Sequence, residues 1–275
     1  MSLLNIRSFR QSDTDLDFLV GTASPETRDR YRLKQILRED DDFRNSFIGD
    51  EKVFRRVMDD EEILLKISPT LFFEILLTKS LNNFIEVSYT IERSTTMRIP
   101  IFDTNDMVEF LTKAPLLGYL AAMLSSFTKI ESYTISFRVR KGSWRKIRFN
   151  DLDIHSLMSF SEAVEDEYRL GFYKRIADIC LFILGMFPDF AERDYRYPFS
   201  GKLRPQIRGK MRISPEDYEK EGRKFYKMAA EHHLAKKMEL SEAFWALHEG
   251  FQKAKKPLNF IAEHYLPYKQ HRIFG

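Results

Sequence analysis

The sequence has little of the chemistry that covalent frameworks and membrane spans require. Only one cysteine, Cys180, occurs among the 275 residues, so an internal disulfide and a paired-thiol motif are both excluded. The longest apolar runs, 116–124 and 179–187, have nine residues each, whereas a membrane-spanning helix needs about 20. The first residues have no apolar core of signal-peptide length. We therefore expect a cytoplasmic protein without a membrane span.

Glycine and proline are also scarce, and aromatic residues are abundant. The 11 glycines and 10 prolines exclude a collagen-like chain. The 24 Phe, 12 Tyr and 2 Trp exclude an intrinsically disordered chain, because each buried ring removes roughly 150–250 Å² from water. Charge is uneven: residues 1–130 contain 17 basic and 21 acidic residues, and residues 131–275 contain 27 and 20. This asymmetry indicates separate partners for the two parts, or two parts that face each other.

Apolar spacing predicts a chain that is mainly α-helical. Ser68 as an N-cap and Pro69 as the first helical residue predict a helix over 69–83. Apolar residues at i, i+3 and i+4 over 170–184 predict a long helix at the centre of the core. Phe187, followed by proline, predicts the end of that helix.

Helix signals continue toward the C-terminus. Ser214 followed by Pro215 predicts an N-cap and a helix that runs to about Lys237. Ser241 predicts the N-cap of the next helix, and Pro257 predicts its end. No copy of an internal repeat is convincing enough to predict an array.

Two segments alternate in the manner of β-strands. Apolar and polar residues alternate over 133–140, a turn follows at 141–143, and a second alternating run returns to 149, which predicts a hairpin. Residues 97–102 predict a short strand that Pro100 confines to a sheet edge. The fold class predicted from the sequence is mainly α, a multi-helix domain with a small antiparallel β-hairpin or sheet, α+β in minor part.

The change from β signals to purely helical signals predicts a boundary near residue 160. We expect residues 1–160 to form a mixed helical region with the small sheet and an acidic first part. We expect residues 161–275 to form an all-helical basic region. A single continuous domain is the alternative, because no flexible linker is evident at the boundary.

Local signatures of enzymes are mostly missing. No GxGxxG or GxSxG motif occurs, and the Gly-Lys pairs at 201 and 209 lack the earlier glycine of a P-loop. His248 begins a His-Glu pair that lacks the second histidine of the zinc-protease motif. These absences disfavour an enzyme but do not remove it, because many active sites have no local signature.

Metal-ligand residue types occur on two predicted helices. His232 and His233 lie on the first, and His248 and Glu249 lie on the second. Neighbouring residues of a helix point about 100° apart, so the adjacent histidines are not expected to bind one ion. The acidic run 39–42 lacks EF-hand spacing and is expected to be a solvated loop. The sequence therefore predicts no metal and no cofactor.

Two basic clusters remain, which we call the basic segment (138–148) and the basic loop (202–212). The basic segment holds six cations and the basic loop five, without an acidic residue in either. Strand alternation places Arg138 and Arg140 on one outer face with Trp144, an arrangement that suits phosphate binding and base stacking. Solvation, or docking on the acidic part of the chain, is the alternative. The predicted polyanion- or phosphate-binding residues are Arg138, Arg140, Lys141, Trp144, Arg145, Lys146, Arg148, Lys202, Arg204, Arg208, Lys210 and Arg212.

Three functions follow from the sequence as hypotheses. The first is a non-enzymatic interaction or scaffold protein that binds a protein partner or a second copy of itself. The second is a nucleic-acid binding protein that uses the basic segment and the basic loop. The third is an enzyme that acts on a phosphorylated substrate with an arginine clamp, although no general acid or base can be assigned beside the clamp.

Overall fold

The structure is a computed structural model that describes most of the chain. It covers residues 12–86, 90–93, 98–101, 104–113, 115–128, 132–140, 143–150, 153–188, 190, 214–267 and 269–274, and side chains are described outside the strands and His271. The described residues belong to two compact units, which we call the N-terminal unit (within 6–125) and the C-terminal unit (within 126–275). The boundary predicted near residue 160 lies inside the second range and stays a prediction.

The N-terminal unit consists mostly of short helices. They are α1 Asp13–Ala23, α2 Arg30–Glu39, α3 Asp41–Ile48, α4 Glu51–Asp59, α5 Ile63–Lys66, α6 Pro69–Glu86, α7 Thr104–Thr112 and α8 Leu116–Ser126, with strands β1 Thr90–Arg93 and β2 Arg98–Ile101 between α6 and α7. Helix α1 packs against α2 and α4, and α4 packs against α6.

A buried carboxylate joins the start of α1 to the start of α6. Ser12 and Asp15 form a reciprocal capping box, in which each side chain accepts from the backbone N–H of the other. The second oxygen of Asp15 accepts from the backbone N–H of Ser68 at 2.7 Å. The Ser68 hydroxyl oxygen in turn accepts from Leu71 N–H at 3.1 Å. The predicted start of α6 at Ser68 and Pro69 is therefore confirmed.

The C-terminal unit contains the longest helix of the described residues. Its elements are β3 Ser132–Arg140, β4 Ser143–Asn150, α9 Ile154–Ala163, α10 Asp166–Met186, α11 Pro215–Glu231, α12 His233–Lys237, α13 Ser241–Glu249, α14 Phe251–Phe260, a π-helical turn Ile261–Tyr265 and α15 Gln270–Phe274. Helix α10 packs against α9, α11 and α14, and α11 packs against α13.

Helix α10 is the centre of the C-terminal unit, as its apolar spacing predicts. Nearly every residue from Leu170 to Met186 is buried, and the helix ends with Phe187 as its C-cap. The ring of Phe182 stacks on that of Phe127 with centroids 4.0 Å apart. Both the central position of this helix and its predicted end are confirmed.

Two glycines allow helices to approach each other closely in this unit. A Cβ built on Gly222 of α11 would lie 2.6 Å from a ring carbon of Phe251 and 2.9 Å from Cys180 Cβ. A Cβ built on Gly185 of α10 would lie 2.7 Å from Leu258. Since real Cβ atoms do not approach other atoms so closely, each position requires glycine for packing reasons.

Three expected helix boundaries near the C-terminus are wrong. The helix that begins at Ser214 ends at Glu231 and not at Lys237, because His232 adopts an extended backbone and starts α12. Ser241 is not an N-cap: its hydroxyl donates to the carbonyl of Ala230 at 2.8 Å. The helix expected from Ser241 to Pro257 ends at Glu249 with Gly250 as its C-cap, and Pro257 lies inside the next helix, α14.

The predicted fold class needs correction. The part of the chain with described side chains is about 84% helical and contains no strand, so the mainly-α class holds and the α+β component is wrong for that part. The strand backbones form two separate antiparallel ladders, β1 with β2 and β3 with β4, and not one sheet.

None of the described helices is by itself long and apolar enough to cross a bilayer. Helices α7 and α8 reach the required length and composition only when taken together, and they are bent by 83° at their junction.

Candidate functional site

The predicted polyanion-binding residues lie where side chains are not described. Lys141 and the basic loop 202–212 fall outside the described residues. For the rest of the basic segment only the backbone is described, as parts of β3 and β4. The assignment of these residues to a binding site therefore stays a prediction.

The backbone register of β3 and β4 relates some of these residues to one another. Arg138 pairs with Trp144, and the positions that pair two and four residues further along β4 are Lys146 and Arg148. Because alternate residues of a strand share a face, these four residues hold register positions on one face. Arg145 pairs with Phe137 and holds a position on the other face. A register shift separates Arg138 from Arg140, which pairs with Ser143. Arg140 therefore departs from the alternation that the sequence suggests.

A polar network is buried in the core of the C-terminal unit. Asp178 of α10 is completely buried, and its Oδ2 accepts from Lys174 Nζ at 2.5 Å, one turn earlier on the same helix. Its Oδ1 accepts from the hydroxyl of Tyr226 on α11 at 2.9 Å. Tyr226 is itself fully buried. Because the donors come from two helices, the carboxylate fastens α10 to α11.

A second buried cation, Arg175, follows Lys174 on α10. Arg175 is 5% exposed, and its guanidinium donates to the Ser126 hydroxyl at 2.8 Å. The same guanidinium lies 3.9 Å from the centroid of the Phe127 ring. The aromatic face and the hydroxyl offset part of the hydration that this buried cation loses.

The single cysteine is inert in this surrounding. Burial raises the pKa of the Cys180 thiol far above its ordinary value, and the negative charges of Glu221 and Asp178 act in the same direction. Burial also raises the pKa of the nearby Tyr218 hydroxyl. Because the thiolate and not the thiol is the nucleophile, Cys180 is not a candidate for covalent catalysis.

Three side chains of metal-binding type meet where α10 begins. Asp166 is the first residue of α10, His232 links α11 to α12, and His233 begins α12. The Oδ2 atom of Asp166 lies 3.5 Å from His232 Nε2 and 3.6 Å from His233 Nδ1. The three ligand atoms all lie within 4.8 Å of one another. We call this group the Asp–His–His cluster.

The expectation that His232 and His233 diverge assumes one continuous helix, and that step is wrong. His232 has φ −69° and ψ 133°, an extended conformation that breaks the helix. The two imidazole rings consequently stack, with centroids 4.6 Å apart. His248, on the second of the two predicted helices, contacts the carbonyl of Arg223 through Nδ1 at 2.9 Å and is not part of the Asp–His–His cluster. No local sequence signal could have located Asp166, which lies 66 residues away from His232.

The bonds of His232 determine which ring nitrogen carries the proton. The backbone N–H of Leu234 donates to His232 Nδ1 at 3.2 Å, so Nδ1 presents a lone pair and caps α12. In the neutral ring the proton then lies on Nε2, which donates to the carbonyl of Asp166 at 3.0 Å. This tautomer is assigned from the hydrogen bonds. His232 thus ties the end of α11 to the start of α10.

The acidic run 39–42 is exposed, as expected, but it is not a loop. Asp40 caps α3 by accepting from Phe43 N–H at 2.9 Å. Asp41 pairs with Arg44 at 2.8 Å in the first turn of that helix. Carboxylates at a helix N-terminus are stabilised by its dipole, so these residues have a structural role here.

Comparison with known proteins adds no relative. No protein-family model, no curated protein and no solved structure matches the chain.

Proposed function

We propose that this chain is a non-enzymatic interaction protein, in which the helices of the C-terminal unit form a scaffold for a protein partner or a second copy of the chain. The supporting observation is that the buried ionisable groups of this unit bind one another or stay uncharged in the core. Lys174, Asp178 and Tyr226 bind one another between α10 and α11, and Cys180 is held as a thiol. Groups engaged in this way fasten helices together. The proposal places the protein in the cytoplasm, where an unpaired buried thiol remains reduced.

The proposal is tested by separating stability from activity with Tyr226→Phe. If the hydroxyl has only a structural role, its loss lowers the free energy of unfolding by about 1.5–3 kcal/mol, as for a hydrogen bond to a charged group. The mass of the particle by light scattering and its affinity for a cross-linked partner should not change at temperatures where the variant is folded. Tyr173→Phe is the matched control, because Tyr173 is half-buried on α10 beside the Phe225 ring.

An enzymatic role would give a different result. A screen of phosphorylated and unphosphorylated metabolites that finds turnover by the wild-type protein, lost in folded Tyr226→Phe but kept in Tyr173→Phe, would contradict the proposal. The Tyr226 hydroxyl would then belong to an active site and not to a scaffold.

A second candidate function is polyanion binding by the basic segment, with a nucleic acid as the ligand. The observation that favours it is the register of β3 and β4, which gives Arg138, Trp144, Lys146 and Arg148 positions on one face. Cations interleaved with an indole suit a phosphate backbone and its bases. Affinity should fall steeply with salt, because each phosphate contact releases a counterion.

The register supplies a matched control for this candidate. Anisotropy of a labelled single-stranded RNA or DNA measures the affinity over a range of salt concentrations. The triple change of Arg138, Lys146 and Arg148 to Ala should weaken binding by orders of magnitude and reduce the salt slope by about three times that of one contact. Arg145→Ala, on the other face, should have a much smaller effect. Equal losses for Arg145→Ala and Arg138→Ala, or no retention by the wild-type protein, would contradict this candidate.

A further inference from the structure

We infer that the Asp–His–His cluster binds one divalent transition-metal ion of the zinc type. The ligands are Oδ2 of Asp166, Nε2 of His232 and Nδ1 of His233. This inference is independent of the scaffold proposal, and it assigns a site where the sequence predicts none.

The chemistry of the donor set favours zinc over the hard cations. Two imidazole nitrogens and one carboxylate oxygen are ligands that Zn²⁺, Co²⁺ and Ni²⁺ prefer, whereas Mg²⁺ and Ca²⁺ prefer oxygen ligands throughout. Three protein ligands leave a coordination position for water or an external ligand. The carboxylate supplies the negative charge that compensates part of the charge of the ion.

The distances are close to those that a tetrahedral ion requires. Zinc bonds of about 2.0–2.1 Å place neighbouring ligand atoms about 3.3 Å apart. The Asp166 oxygen lies 3.5 Å and 3.6 Å from the two imidazole nitrogens. The two imidazole nitrogens lie within 4.8 Å of each other. The His233 side chain is 56% accessible, so it has room to rotate toward an ion.

The local environment also explains why the affinity should be moderate. His232 coordinates an ion through Nε2 only if the ring proton moves to Nδ1. That change gives up the bond from Leu234 N–H and the bond to the Asp166 carbonyl. Two neutral hydrogen bonds lower the affinity by roughly 30-fold compared with a site free of this competition. A metal ion therefore loosens the cap of α12 when it binds.

One cation competes directly for the carboxylate. Arg169 lies 3.8 Å from Oδ1 of Asp166, one turn along α10. Its side chain is 36% accessible, so the ion pair is weak and partly screened. Replacement of Arg169 by Gln should raise the metal affinity about two- to fivefold. If the Asp166 carboxylate did not bind the metal, Arg169→Gln would leave the metal affinity unchanged.

The experiment titrates Co²⁺ and Zn²⁺ into the full chain without a histidine tag, with calorimetry and the visible Co²⁺ spectrum as readouts. One equivalent of metal should bind saturably, and Zn²⁺ should displace Co²⁺. His233→Ala removes a ligand and leaves the cap intact. His232→Asn removes the Nε2 ligand and keeps a side chain that caps helices well. Each variant should weaken binding at least tenfold, and the backbone amide resonance of Leu234 should shift when the wild-type protein binds the ion.

His264→Ala is the matched control, because this exposed imidazole contacts the Phe260 carbonyl outside the cluster. It should bind metal as the wild-type protein does. The inference is overturned if no one-to-one saturation occurs up to about 1 mM metal. It is also overturned if His233→Ala binds as tightly as the wild type, or if His264→Ala weakens binding as much as His233→Ala does.

Discussion

Addition of one methyl group at Gly222 is the sharpest test of the packing between α10, α11 and α14. The Cβ atom of Gly222→Ala would lie 2.6 Å from Phe251 Cε2 and 2.9 Å from Cys180 Cβ. Carbon atoms in favourable contact are about 3.5–4.0 Å apart, so the methyl group overlaps its neighbours by about 1 Å. Neither neighbour is the free end of a flexible side chain, and both are fully buried.

Two opposing effects determine the size of the change. Overpacking of a core costs typically 1–3 kcal/mol. Alanine is better than glycine inside a helix by about 0.5–1 kcal/mol. The clash is the larger effect, so Gly222→Ala should lower the free energy of unfolding by roughly 1–2 kcal/mol.

Gly21 of α1 provides the control for this change. A Cβ built there has no atom within 4 Å, so Gly21→Ala meets no clash and should stabilise α1 by about 0.5–1 kcal/mol. Hydrogen exchange read by mass spectrometry reports α10–α11 and α1 separately, which matters because the chain has two units. Faster exchange in α10–α11 for Gly222→Ala and slower exchange in α1 for Gly21→Ala are expected. If Gly222→Ala is as stable as the wild type, the close approach of α11 and α14 is wrong.

Further predictions concern single side chains. Glu239 has a positive φ of 57° at the end of α12, so Glu239→Gly should raise the free energy of unfolding by about 0.5–1 kcal/mol in urea, and a loss would contradict that backbone. The Lys79 hydrogen bond, with help from Arg55, lowers the pKa of Glu51 below its ordinary 4.5. The Glu51–Lys79 pair stabilises the fold by less than about 1 kcal/mol, because it is exposed. This stabilisation is fully present above pH 4.5, the ordinary pKa of Glu51, and is lost as the pH falls through the lowered pKa. Lys79→Met should abolish most of this acid dependence in urea titrations. Asp15→Ala should cost about 2–3 kcal/mol, because it leaves two backbone N–H groups without their acceptor, and thermal unfolding measures the loss.

Elements that depend on local chemistry were predictable from the sequence. The start of α6 follows from Ser68 and Pro69, since a hydroxyl acceptor and a fixed φ act within one turn. The start of α11 at Ser214 follows for the same reason, and its side chain accepts from Asp217 N–H at 3.1 Å. The burial of the second half of α10 follows from the unbroken apolar run 179–187, which leaves no polar face.

Elements that depend on distant contacts were not predictable. The break at His232 has no glycine or proline to announce it, and the partner of the ring, Asp166, lies 66 residues away. Asn259, which follows Pro257 inside α14, binds the carbonyl of Leu184 in α10, 75 residues earlier. The buried pairing of Asp178 with Tyr226 likewise spans 48 residues. The Asp–His–His cluster therefore emerges only when α10, α11 and α12 are placed together.

The sequence locates the candidate binding residues but does not determine which of them share a face. Composition alone locates the basic segment and the basic loop as runs of cations without acids. Which of these cations share a face depends on the register of β3 and β4, and the shift after Arg138 changes the place of Arg140. A bulge of this kind leaves no mark in an alternating sequence.

The central claim is that the ionisable groups buried in the C-terminal unit hold its helices together. A double-mutant cycle on Asp178→Ala and Tyr226→Phe, measured by equilibrium unfolding, tests this most directly, because each change removes one partner of a hydrogen bond that joins two helices with oxygens 2.9 Å apart. The account predicts a coupling free energy of about 1.5–3 kcal/mol. Strictly additive losses, with a coupling near zero, would contradict it.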